Sequence, residues 1–367
     1  MLRVLHILGG LGTGGTESLI MNWYRNIDRE KIQFDFLVRS KDDNYKEEIE
    51  ALGGRVFYTA SFPRHFLRNY RETKAILAKK EWNVIHVHAN AAMYILPLKL
   101  AAKMGYPCRI THSHSVKAQN AVFSCIHAVN RRRLSRYTTL CLACSDSAGK
   151  WMFGNDRYEI LRNAVNFETC RFDSDARNAI RQTYGIENKF VVGHIGRFVE
   201  AKNHLFLLEA FSEFRKQRPD SVLMLVGDGE LEETVREKAS QMGLWDSVMF
   251  MGRRSDVGKL LSAMDLFVLP SRYEGLGIVL VEAQFSGLPC IVSEEAFQAE
   301  VEITDHIARV SLQNGTSAWT DQMQLDSRPE PDRQIDDAFA RSSGYDMCTE
   351  IKKLEAYYLQ AVGGNTH

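Results

Sequence analysis

The sequence predicts an α/β protein made of two Rossmann-like, doubly wound domains that face each other across a cleft. Three observations predict this fold: the chain has 367 residues, short β-branched runs alternate with helical patterns, and the alternation restarts near residue 190. A single hydrophobic core rarely extends beyond about 250–300 residues, so the length favours two domains. Alternating strands and helices are typical of parallel sheets, which bind ligands beyond the carboxyl ends of their strands. A ligand site is therefore expected in the cleft.

The first domain is predicted at residues 1–165, from short apolar strands bounded by Gly, Pro or polar clusters. These strands are Arg3–Leu8, Phe34–Val38, Arg55–Tyr58, Val84–His88, Arg109–Thr111 and Thr139–Ala143. The helical patterns between them include Glu17–Asn26, Tyr45–Leu52, Tyr70–Lys80 and Met93–Met104.

The second domain is predicted at residues 166–344, after a polar join near Asn163–Asn188. Its strands are Phe190–Gly196, Val222–Val226, Val248–Met251, Leu266–Leu269 and Cys290–Val292. Its helices are Leu205–Gln217, Leu231–Met242, Val257–Ala263 and Ile278–Ser286. A terminal helix follows a polar stretch, which leaves open that residues 345–361 pack back on the first domain.

The overall charge is balanced, with 46 Lys and Arg against 46 Asp and Glu. Residues 1–165 hold 25 basic and 14 acidic residues, a net +11, and the remainder holds 21 and 32, a net −11. Such asymmetry indicates that the two domains meet different partners. An apolar fraction of 45% excludes a disordered chain, a coiled coil or a collagen.

The positive charge of the first domain concentrates in two basic segments, Pro63–Lys80 and Arg131–Arg136, which have apolar residues among or before them. A basic segment with an apolar face can rest on an anionic bilayer. Peripheral contact with an anionic membrane is therefore one interpretation, and a solvated charged surface is the other. Nucleic acid is not expected as a partner, because no aromatic stacking platform or recognition motif accompanies the charge.

No segment predicts secretion or a membrane span. The amino terminus lacks a basic region followed by a long apolar core, and the longest apolar stretch, Ala91–Ala102, is shorter than the ~20 residues of a span. Seven cysteines, an odd number, do not suggest a disulfide framework. The expected location is the cytoplasm, at the inner face of the membrane if the basic segments bind lipid.

The first motif is a glycine-rich loop between a strand and a helix, in which Gly10, Gly12 and Gly15 satisfy GxGxxG. Alone it suggests a nicotinamide cofactor or a tight turn without a ligand. The carboxylate that binds the cofactor ribose at the end of the second strand is missing, because Asp35 falls early in that strand. A nicotinamide-dependent oxidoreductase therefore stays only an alternative.

The second motif follows the strand that ends at Gly196, where Arg197 and Lys202 lie five residues apart on one loop. Fixed cations at a strand end stabilise the charge that develops on a leaving diphosphate.

The third motif follows the strand that ends at Leu269, where Gly275 and Gly277 precede an apolar helix. Backbone N–H groups at Gly277 and Ile278 are expected to face an anion at the helix start. Glu274 lies just before this helix and Glu282 inside it, so one carboxylate can meet sugar hydroxyls and the other ribose hydroxyls.

Together these motifs resemble the retaining GT-B glycosyltransferases of glycosyltransferase family 4, and most closely the bacterial branch that builds exopolysaccharide and capsule. The resemblance covers nearly the whole chain through GGLGTGGTE, HVHAN, THSHS, LRNAVNFE, HIGRFVEAKNH, LMLVGDGELEE, FMGRRSDV and PSRYEGLGIVLVEAQFSGLPCIVS. It implies the GT-B fold, a nucleotide-sugar donor of the UDP type bound by the second domain, and a lipid-linked or glycan acceptor on the side of the first domain.

The resemblance also implies roles for individual residues. Arg197 and Lys202 match the pair that holds the donor diphosphate, Glu274 matches a contact to the donor sugar, and Glu282 matches a contact to the ribose. The other donor-binding positions that it implies are Gly14, Gly15, Gly252, Arg253, Gly275, Leu276, Gly277 and Ile278. Leu276 and Gly277 differ from the residues that are commonest at these two positions in the family, which leaves the identity of the donor sugar open.

One histidine is expected near the reacting sugar, and either His112 or His114 matches it. His114 is favoured, with His112 as a possible contact to acceptor or sugar. No cofactor and no metal are expected, because no DxD segment suggests a bound cation and the strand positions of His86 and His88 indicate satisfied polar groups.

The function predicted from the sequence is transfer of a sugar from a nucleotide donor to a lipid-linked or glycan acceptor, with retention at the anomeric carbon. Arg197, Lys202, Glu274 and His114 are the predicted catalytic residues. A sugar-nucleotide-binding partner subunit without catalytic activity stays open beside the oxidoreductase, because it would share every binding residue.

Overall fold

The computed structural model describes residues 1–12, 14–115, 121–326 and 333–363. The chain forms two compact units. The first contains Met1–Ala164 together with the carboxyl-terminal helix Met347–Gly363, and the second contains Val165–Asp346. Each unit is built on one parallel β-sheet.

The strands alternate with helices along both units. The strands are β1 (Leu2–Ile7), β2 (Ile32–Val38), β3 (Val56–Tyr58), β4 (Val84–Ala89), β5 (Cys108–Ser113), β6 (Leu140–Ala143), β7 (Glu159–Ile160), β8 (Phe190–Ile195), β9 (Ser221–Val226), β10 (Val248–Phe250), β11 (Leu266–Leu269), β12 (Cys290–Ser293) and β13 (Ile307–Val310).

The helices are α1 (Gly15–Asn26), α2 (Lys46–Ala51), α3 (Phe66–Leu77), α4 (Leu96–Lys103), α5 (Ala121–Arg131), α6 (Asp146–Phe153), α7 (Phe167–Cys170), α8 (Ser174–Tyr184), α9 (His204–Gln217), α10 (Glu232–Gln241), α11 (Val257–Ala263), α12 (Ile278–Phe285), α13 (Gly315–Asp326), α14 (Asp337–Ser342) and α15 (Met347–Gly363). Among the described residues, no helix is both long and apolar enough to cross a bilayer.

Both sheets reverse their strand order beside the first strand of the unit. The orders are β3-β2-β1-β4-β5-β6-β7 in the first unit and β10-β9-β8-β11-β12-β13 in the second. In doubly wound sheets, ligands bind outside the carboxyl ends of the strands at the point of reversal. The expected ligand positions are therefore beyond β1 and β4 in the first unit, and beyond β8 and β11 in the second.

The strands are apolar and covered by helices on both faces, as is usual for parallel sheets. Every residue of β2 and of β9 is buried. Because such strands have little room for polar side chains, a polar group inside one of them, such as Asp35 in β2, needs partners within the unit.

The terminal helix α15 packs into the first unit. Met347, Ile351, Leu354 and Tyr358 lie in the same apolar cluster as the residues of β1 and β2. A carboxylate oxygen of Glu350 on this helix accepts a hydrogen bond from the backbone N–H of Arg162 at 2.9 Å. The first core is thus completed by residues nearly two hundred positions away in the chain.

The segment predicted as a polar join, residues 163–188, instead contains α7 and α8. Helix α8 has a polar sequence, but Asp173 caps its amino terminus and Arg181 forms a buried ion pair with Asp265 at 2.5 Å. An ion pair to a residue 84 positions away leaves no periodicity in the sequence, which is why the helix was not predicted. The edge strands β7 and β13 were missed because they are short and only partly apolar.

Asp35 is fully buried inside β2 and is held by the first unit itself. Its carboxylate accepts hydrogen bonds from Arg3 and Arg55, each at 2.7 Å, and from the Trp82 indole N–H at 2.7 Å. Although desolvation opposes the charged form, these donors lower the pKa of Asp35 below its ordinary value. Asp35 is therefore a structural group and not a ribose ligand, which argues against the nicotinamide alternative.

Candidate functional site

The second unit brings Lys202 and Glu274 together at the point of strand reversal. Lys202 follows β8 and Glu274 follows β11, and Lys202 Nζ lies 2.6 Å from Glu274 Oε1. The Ser271 hydroxyl donates to the same oxygen at 2.6 Å. Only 17% of the Lys202 side chain and 8% of the Glu274 side chain are exposed. The pair is thus fixed, and Oε2 of Glu274 is left to accept from a ligand hydroxyl.

Two hydrogen bonds tie together the loops that carry this pair. The Arg272 backbone N–H donates to the Ala201 carbonyl at 2.8 Å, and the Asn203 amide donates to the Pro270 carbonyl at 3.1 Å. Sequence analysis missed Ser271 and Asn203, because their role depends on the neighbouring loop and not on their own motif.

Arg197 lies beside the pair in the chain but is exposed and forms no ion pair within the described residues. Its loop is shaped by the turn after β9: the Phe198 N–H donates to the Asp228 carbonyl at 2.8 Å. Gly227 has φ 144°, and a Cβ there would overlap the Gly196 carbonyl oxygen. The turn after β9 therefore supports the loop and leaves the Arg197 guanidinium available to an anion.

Helix α12 begins at an uncapped glycine. Gly277 has φ 72°, in the left-handed region, and a side chain there would overlap the Phe297 ring. Gly277 offers no side-chain cap, so the first N–H groups of the helix, starting with Ile278, are free to bind an anion. A Cβ at Gly275 would meet open space, whereas Leu276 packs against the apolar core of the unit.

Glu282 lies inside α12 and is partly buried. Its side chain makes no hydrogen bond or ion pair in the described part of the chain, and desolvation raises its pKa to about 7. A carboxyl group kept without a protein partner is suited to accept from ligand hydroxyls.

Gly252 and the exposed Arg253 follow β10 at the edge of the same sheet, with β9 between β10 and β8. Gly252 has φ 64°, and its carbonyl accepts from the Gly227 N–H at 2.9 Å. The predicted donor-binding residues of the second unit thus lie along one sheet edge, but Arg253 does not contact Lys202 or Glu274.

In the first unit, Gly14 is the N-cap of α1 and Gly15 its first residue. Gly14 has no side chain to cap the helix, and space is open where a Cβ at Gly15 would lie. Both glycines lie beyond β1, at the point of strand reversal.

Five histidines form a buried cluster at the carboxyl ends of three adjacent strands. His6 lies on β1, His86 and His88 lie on β4, His112 lies on β5 and His114 directly follows it. Strand pairing sets His6 opposite His86 and His88 opposite His112. The sequence shows part of this cluster, because histidine recurs at every second position in two strands. That His6 on β1 joins them depends on the order of the strands in the sheet.

Three of these rings are joined by hydrogen bonds. His6 Nδ1 lies 2.9 Å from His88 Nε2, and His88 Nδ1 lies 2.9 Å from His114 Nε2. Burial lowers the pKa of His6 and of His114 to about 3, and that of His88 well below its ordinary value, so all three are neutral at pH 7. A neutral imidazole donates from one nitrogen and accepts at the other. The tautomer of His6 therefore fixes those of His88 and His114.

The structure distinguishes the two histidines that matched the family motif. His112 is fully buried, and its ring stacks on Trp23 with centroids 5.5 Å apart. His114 is partly exposed, and its Nδ1 has no hydrogen-bond partner among the described residues. Part of the His114 side chain is thus exposed, although its Nδ1 atom is buried, whereas no part of His112 is exposed.

Two triplets of the cluster lie close enough for a metal ion by distance alone. Ring nitrogens of His6, His86 and His88, and of His88, His112 and His114, lie within 4.8 Å of one another. The rings within each pair, His86 with His88 and His112 with His114, lie nearly face to face, however, with centroids 4.2 Å apart and interplanar angles of 25° and 32°. An imidazole binds a metal in its own ring plane, and stacked planes do not meet at one ion. The geometry favours neutral, hydrogen-bonded rings.

Two family models match the chain, one on each unit. The model described as Glycosyltransferase Family 4 matches residues 13–169, and the model described as Glycosyl transferases group 1 matches residues 176–323.

The chain is 35% identical to a protein of Bacillus subtilis (strain 168) named glycosyltransferase EpsF, over 97% of this chain and 96% of that protein. It is 28% identical to the UDP-Gal:alpha-D-GlcNAc-diphosphoundecaprenol alpha-1,3-galactosyltransferase of Escherichia coli, over 59% of each chain. Among solved structures, Anabaena Alr3699/HepE in complex with UDP matches with a TM-score of 0.76 and 19% identity, over 97% of this chain and 99% of that one.

Glu282→Gln is expected to stabilise the ligand-free protein at pH 8. The Glu282 pKa is about 7 in the folded chain against 4.5 for an ordinary glutamate. The folded state therefore binds more protons between these values, and the free energy of unfolding falls as the pH rises through this range. We expect the variant to gain about 1–2 kcal/mol at pH 8 and nothing near pH 4. Thermal unfolding at both pH values measures the stability difference between the variant and the unaltered protein. Glu233→Gln, at an exposed position, is the control. A stability difference that does not vary with pH would contradict the prediction.

His6→Leu is expected to change the state of His114, although the two rings do not touch each other. The variant leaves His88 Nε2 without its partner, so the tautomer of His88 is no longer fixed from that side. The ¹⁵N chemical shifts of the His114 ring report the tautomer directly. We expect them to move in His6→Leu and to move less in His6→Asn, which keeps a polar group near Nδ1. Identical His114 shifts in all three proteins would contradict the coupling.

Proposed function

The chain belongs to the glycosyltransferases of family 4, and we propose that it transfers a hexose from a UDP-sugar to a lipid-linked or glycan acceptor in surface polysaccharide synthesis. The proposal extends to retention of configuration at the anomeric carbon and to transfer without a metal ion. Its fold is GT-B, with two parallel-sheet, Rossmann-like units.

The observation that carries the proposal is the fixed Lys202–Glu274 pair, together with the uncapped start of α12 and with Arg197, which forms no ion pair among the described residues. Two cations and free backbone N–H groups suit a diphosphate, and a carboxylate with one free oxygen suits a sugar hydroxyl. Glu282, kept without a protein partner, suits the ribose. The names of the relatives support this assignment, since one uses a UDP-galactose donor and another was solved with UDP.

In the proposed reaction, the bond between the anomeric carbon and the diphosphate oxygen breaks while the acceptor hydroxyl forms a new bond on the same face. Arg197, Lys202 and the α12 N–H groups stabilise the negative charge on the departing UDP. The leaving phosphate oxygen takes the proton of the acceptor hydroxyl. Glu274 is not suited to be a covalent nucleophile, because Lys202 and Ser271 already hold one of its oxygens.

His114 is the proposed contact to the reacting sugar in the first unit, because it is partly exposed whereas His112 is fully buried. Its Nδ1 donates or accepts according to the hydrogen-bonded chain that begins at His6. The lipid-linked acceptor is supported by the diphosphoundecaprenol in the name of the galactosyltransferase relative.

Contact with the inner face of the cell membrane is also proposed, through the first unit. Phe66 and Leu67 at the start of α3 are 49% and 69% exposed, and Arg68 beside them is exposed as well. Ile126 and Val129 on α5 are exposed next to the basic segment that begins at Arg131. Exposed apolar side chains bordered by arginines are typical of surfaces that bind anionic lipid.

Arg197→Ala is expected to lower transfer about 10²–10³-fold, because it removes charge stabilisation of the leaving diphosphate. The loss of activity is measured as UDP release from a panel of UDP-hexoses. The thermal shift on addition of UDP reports whether the variant still binds it. Arg341→Ala, an exposed arginine on α14, is the matched control. Normal turnover in Arg197→Ala would contradict the site, and a product with inverted configuration would contradict retention. UDP binding without any turnover would favour the non-catalytic partner subunit.

Replacing Phe66 and Leu67 together with Ser is expected to weaken membrane binding about tenfold, because it removes the exposed apolar surface of α3. Cosedimentation with phosphatidylglycerol vesicles, and with phosphatidylcholine vesicles for comparison, measures the binding. Leu325→Ser, an exposed leucine of the second unit, is the control. Equal binding to both lipids would show that the basic segments do not recognise anionic membranes.

A further inference from the structure

The second unit contains a buried histidine that the proposed reaction does not use. His194 lies on β8, and its side chain is fully buried. Its Nδ1 lies 2.8 Å from the carbonyl oxygen of Val268 on β11. A carbonyl oxygen only accepts, so Nδ1 carries the proton and Nε2 is left with a lone pair. The backbone of the neighbouring strand thus fixes the tautomer of this ring.

The lone pair of His194 Nε2 is buried and has no hydrogen-bond partner among the described residues. Burial lowers the pKa of His194 to about 4, so the ring is neutral at pH 7 and Nε2 stays an acceptor. A buried acceptor without a donor costs stability, and an apolar side chain of similar shape avoids that cost. Nε2 is therefore suited to a donor that reaches it when the site is occupied.

The side chain of Lys202 lies next to this lone pair. A Cβ on Gly196 would lie 3.1 Å from Lys202 Cδ, 3.2 Å from Lys202 Cε and 3.3 Å from His194 Nε2. The lysine and the imidazole therefore border one small space, which a side chain at position 196 would fill. The positive charge of Lys202 is also one of the causes that lower the pKa of His194. In the ligand-free structure, Lys202 Nζ faces Glu274 Oε1 at 2.6 Å instead.

The ring of His194 is held on a second side by another imidazole. His204, the first residue of α9, meets it edge-on, with ring centroids 4.6 Å apart and an interplanar angle of 71°. His204 in turn stacks on Phe198, with centroids 4.2 Å apart. A ring fixed in this way presents Nε2 at one position, whereas the flexible stem of Lys202 can move. The lysine is therefore the group that can approach the imidazole.

We propose that His194 is a positioning residue for Lys202, and that its Nε2 accepts an N–H of the Lys202 ammonium when the donor diphosphate is bound. The ammonium has three N–H donors. Glu274 accepts from one, the diphosphate from another and His194 from the third, which directs the positive charge toward the leaving oxygen. The inference rests on the proposed function, because it requires a diphosphate beside Lys202. His194 does not touch the donor and acts only through the lysine.

Two substitutions separate the roles of the two ring nitrogens. His194→Asn brings an amide nitrogen near the position of Nδ1, so it can still donate to the Val268 carbonyl, but it has no acceptor at the position of Nε2. His194→Gln reaches the position of Nε2 and offers an amide oxygen there. A role in the fold alone depends on Nδ1 and is better preserved by Asn. The proposed role depends on Nε2 and is better preserved by Gln.

The affinities of the full chain for UDP and for UMP are measured by isothermal titration calorimetry. UMP lacks the terminal phosphate, so a loss that is specific to UDP reports the contact with Lys202. We expect His194→Asn to bind UDP about tenfold more weakly than the unaltered protein, with UMP affinity changed less than about twofold. His194→Gln is expected to stay within about threefold for both ligands. His306→Asn, at an exposed histidine of the same unit, is the control.

A double-mutant cycle with Lys202→Met shows whether His194 acts through the lysine. In the Lys202→Met background, His194→Asn is expected to change UDP affinity less than about twofold, because the group that it positions is gone. Equal losses in both backgrounds would overturn the proposal. So would an equal loss of UDP and UMP affinity in His194→Asn, which is the result of a purely structural role.

If His194→Asn does not fold, ¹⁵N NMR of the unaltered protein decides. The chemical shift of an unprotonated ring nitrogen changes when that nitrogen accepts a hydrogen bond. We expect the Nε2 shift of His194 to move on addition of UDP and to stay unchanged on addition of UMP. If UDP binds and the Nε2 shift does not move, the inference alone is wrong. If UDP does not bind the unaltered protein, the proposed function is wrong and the inference fails with it.

Discussion

The parallel pairing of buried strands is the constraint on which the rest of this molecule depends. Both sheets are covered on both faces, so their strands have little room for polar side chains. Parallel pairing also brings all carboxyl ends to one edge, and the reversal of strand order leaves a gap there between the loops. Lys202 and Glu274, which lie 72 positions apart, meet for this reason alone.

The ion-pair partners of the buried structural charges contrast with the lack of such partners at other buried charged groups. Asp35 and Asp265 are each held by two arginines, and these groups connect distant elements of one unit. Arg39 and Glu282, by contrast, have no ion pair in the described structure although both are partly buried. Because an unpaired, desolvated charge costs stability, its presence at a sheet edge indicates a ligand that supplies the missing partner.

The hydrogen-bonded histidines of the first unit are neutral groups, and they too have partners within the protein. Burial keeps the rings uncharged, and hydrogen bonds between them transmit a choice of tautomer along the row. The row ends at His114, which is partly exposed, so the fully buried members act on any ligand only through it. The net +11 of residues 1–165 agrees with this division, because that part of the chain also carries Arg39 and the exposed basic segments.

The sequence by itself determined all the strands except the short edge strands β7 and β13, the loops that follow them and the family. These are local features: apolar runs mark strands, and glycines mark loops where the backbone must turn or approach a ligand. The candidate residues Arg197, Lys202, Glu274, Gly277 and Glu282 were all found in this way.

Only the tertiary structure decided which charges are paired. It also showed α8 to be part of the second unit, and α15 to complete the first. These outcomes depend on contacts such as Arg181 with Asp265 and His86 with Tyr358. Such contacts are set by strand order and core shape, and no periodicity in the sequence records them.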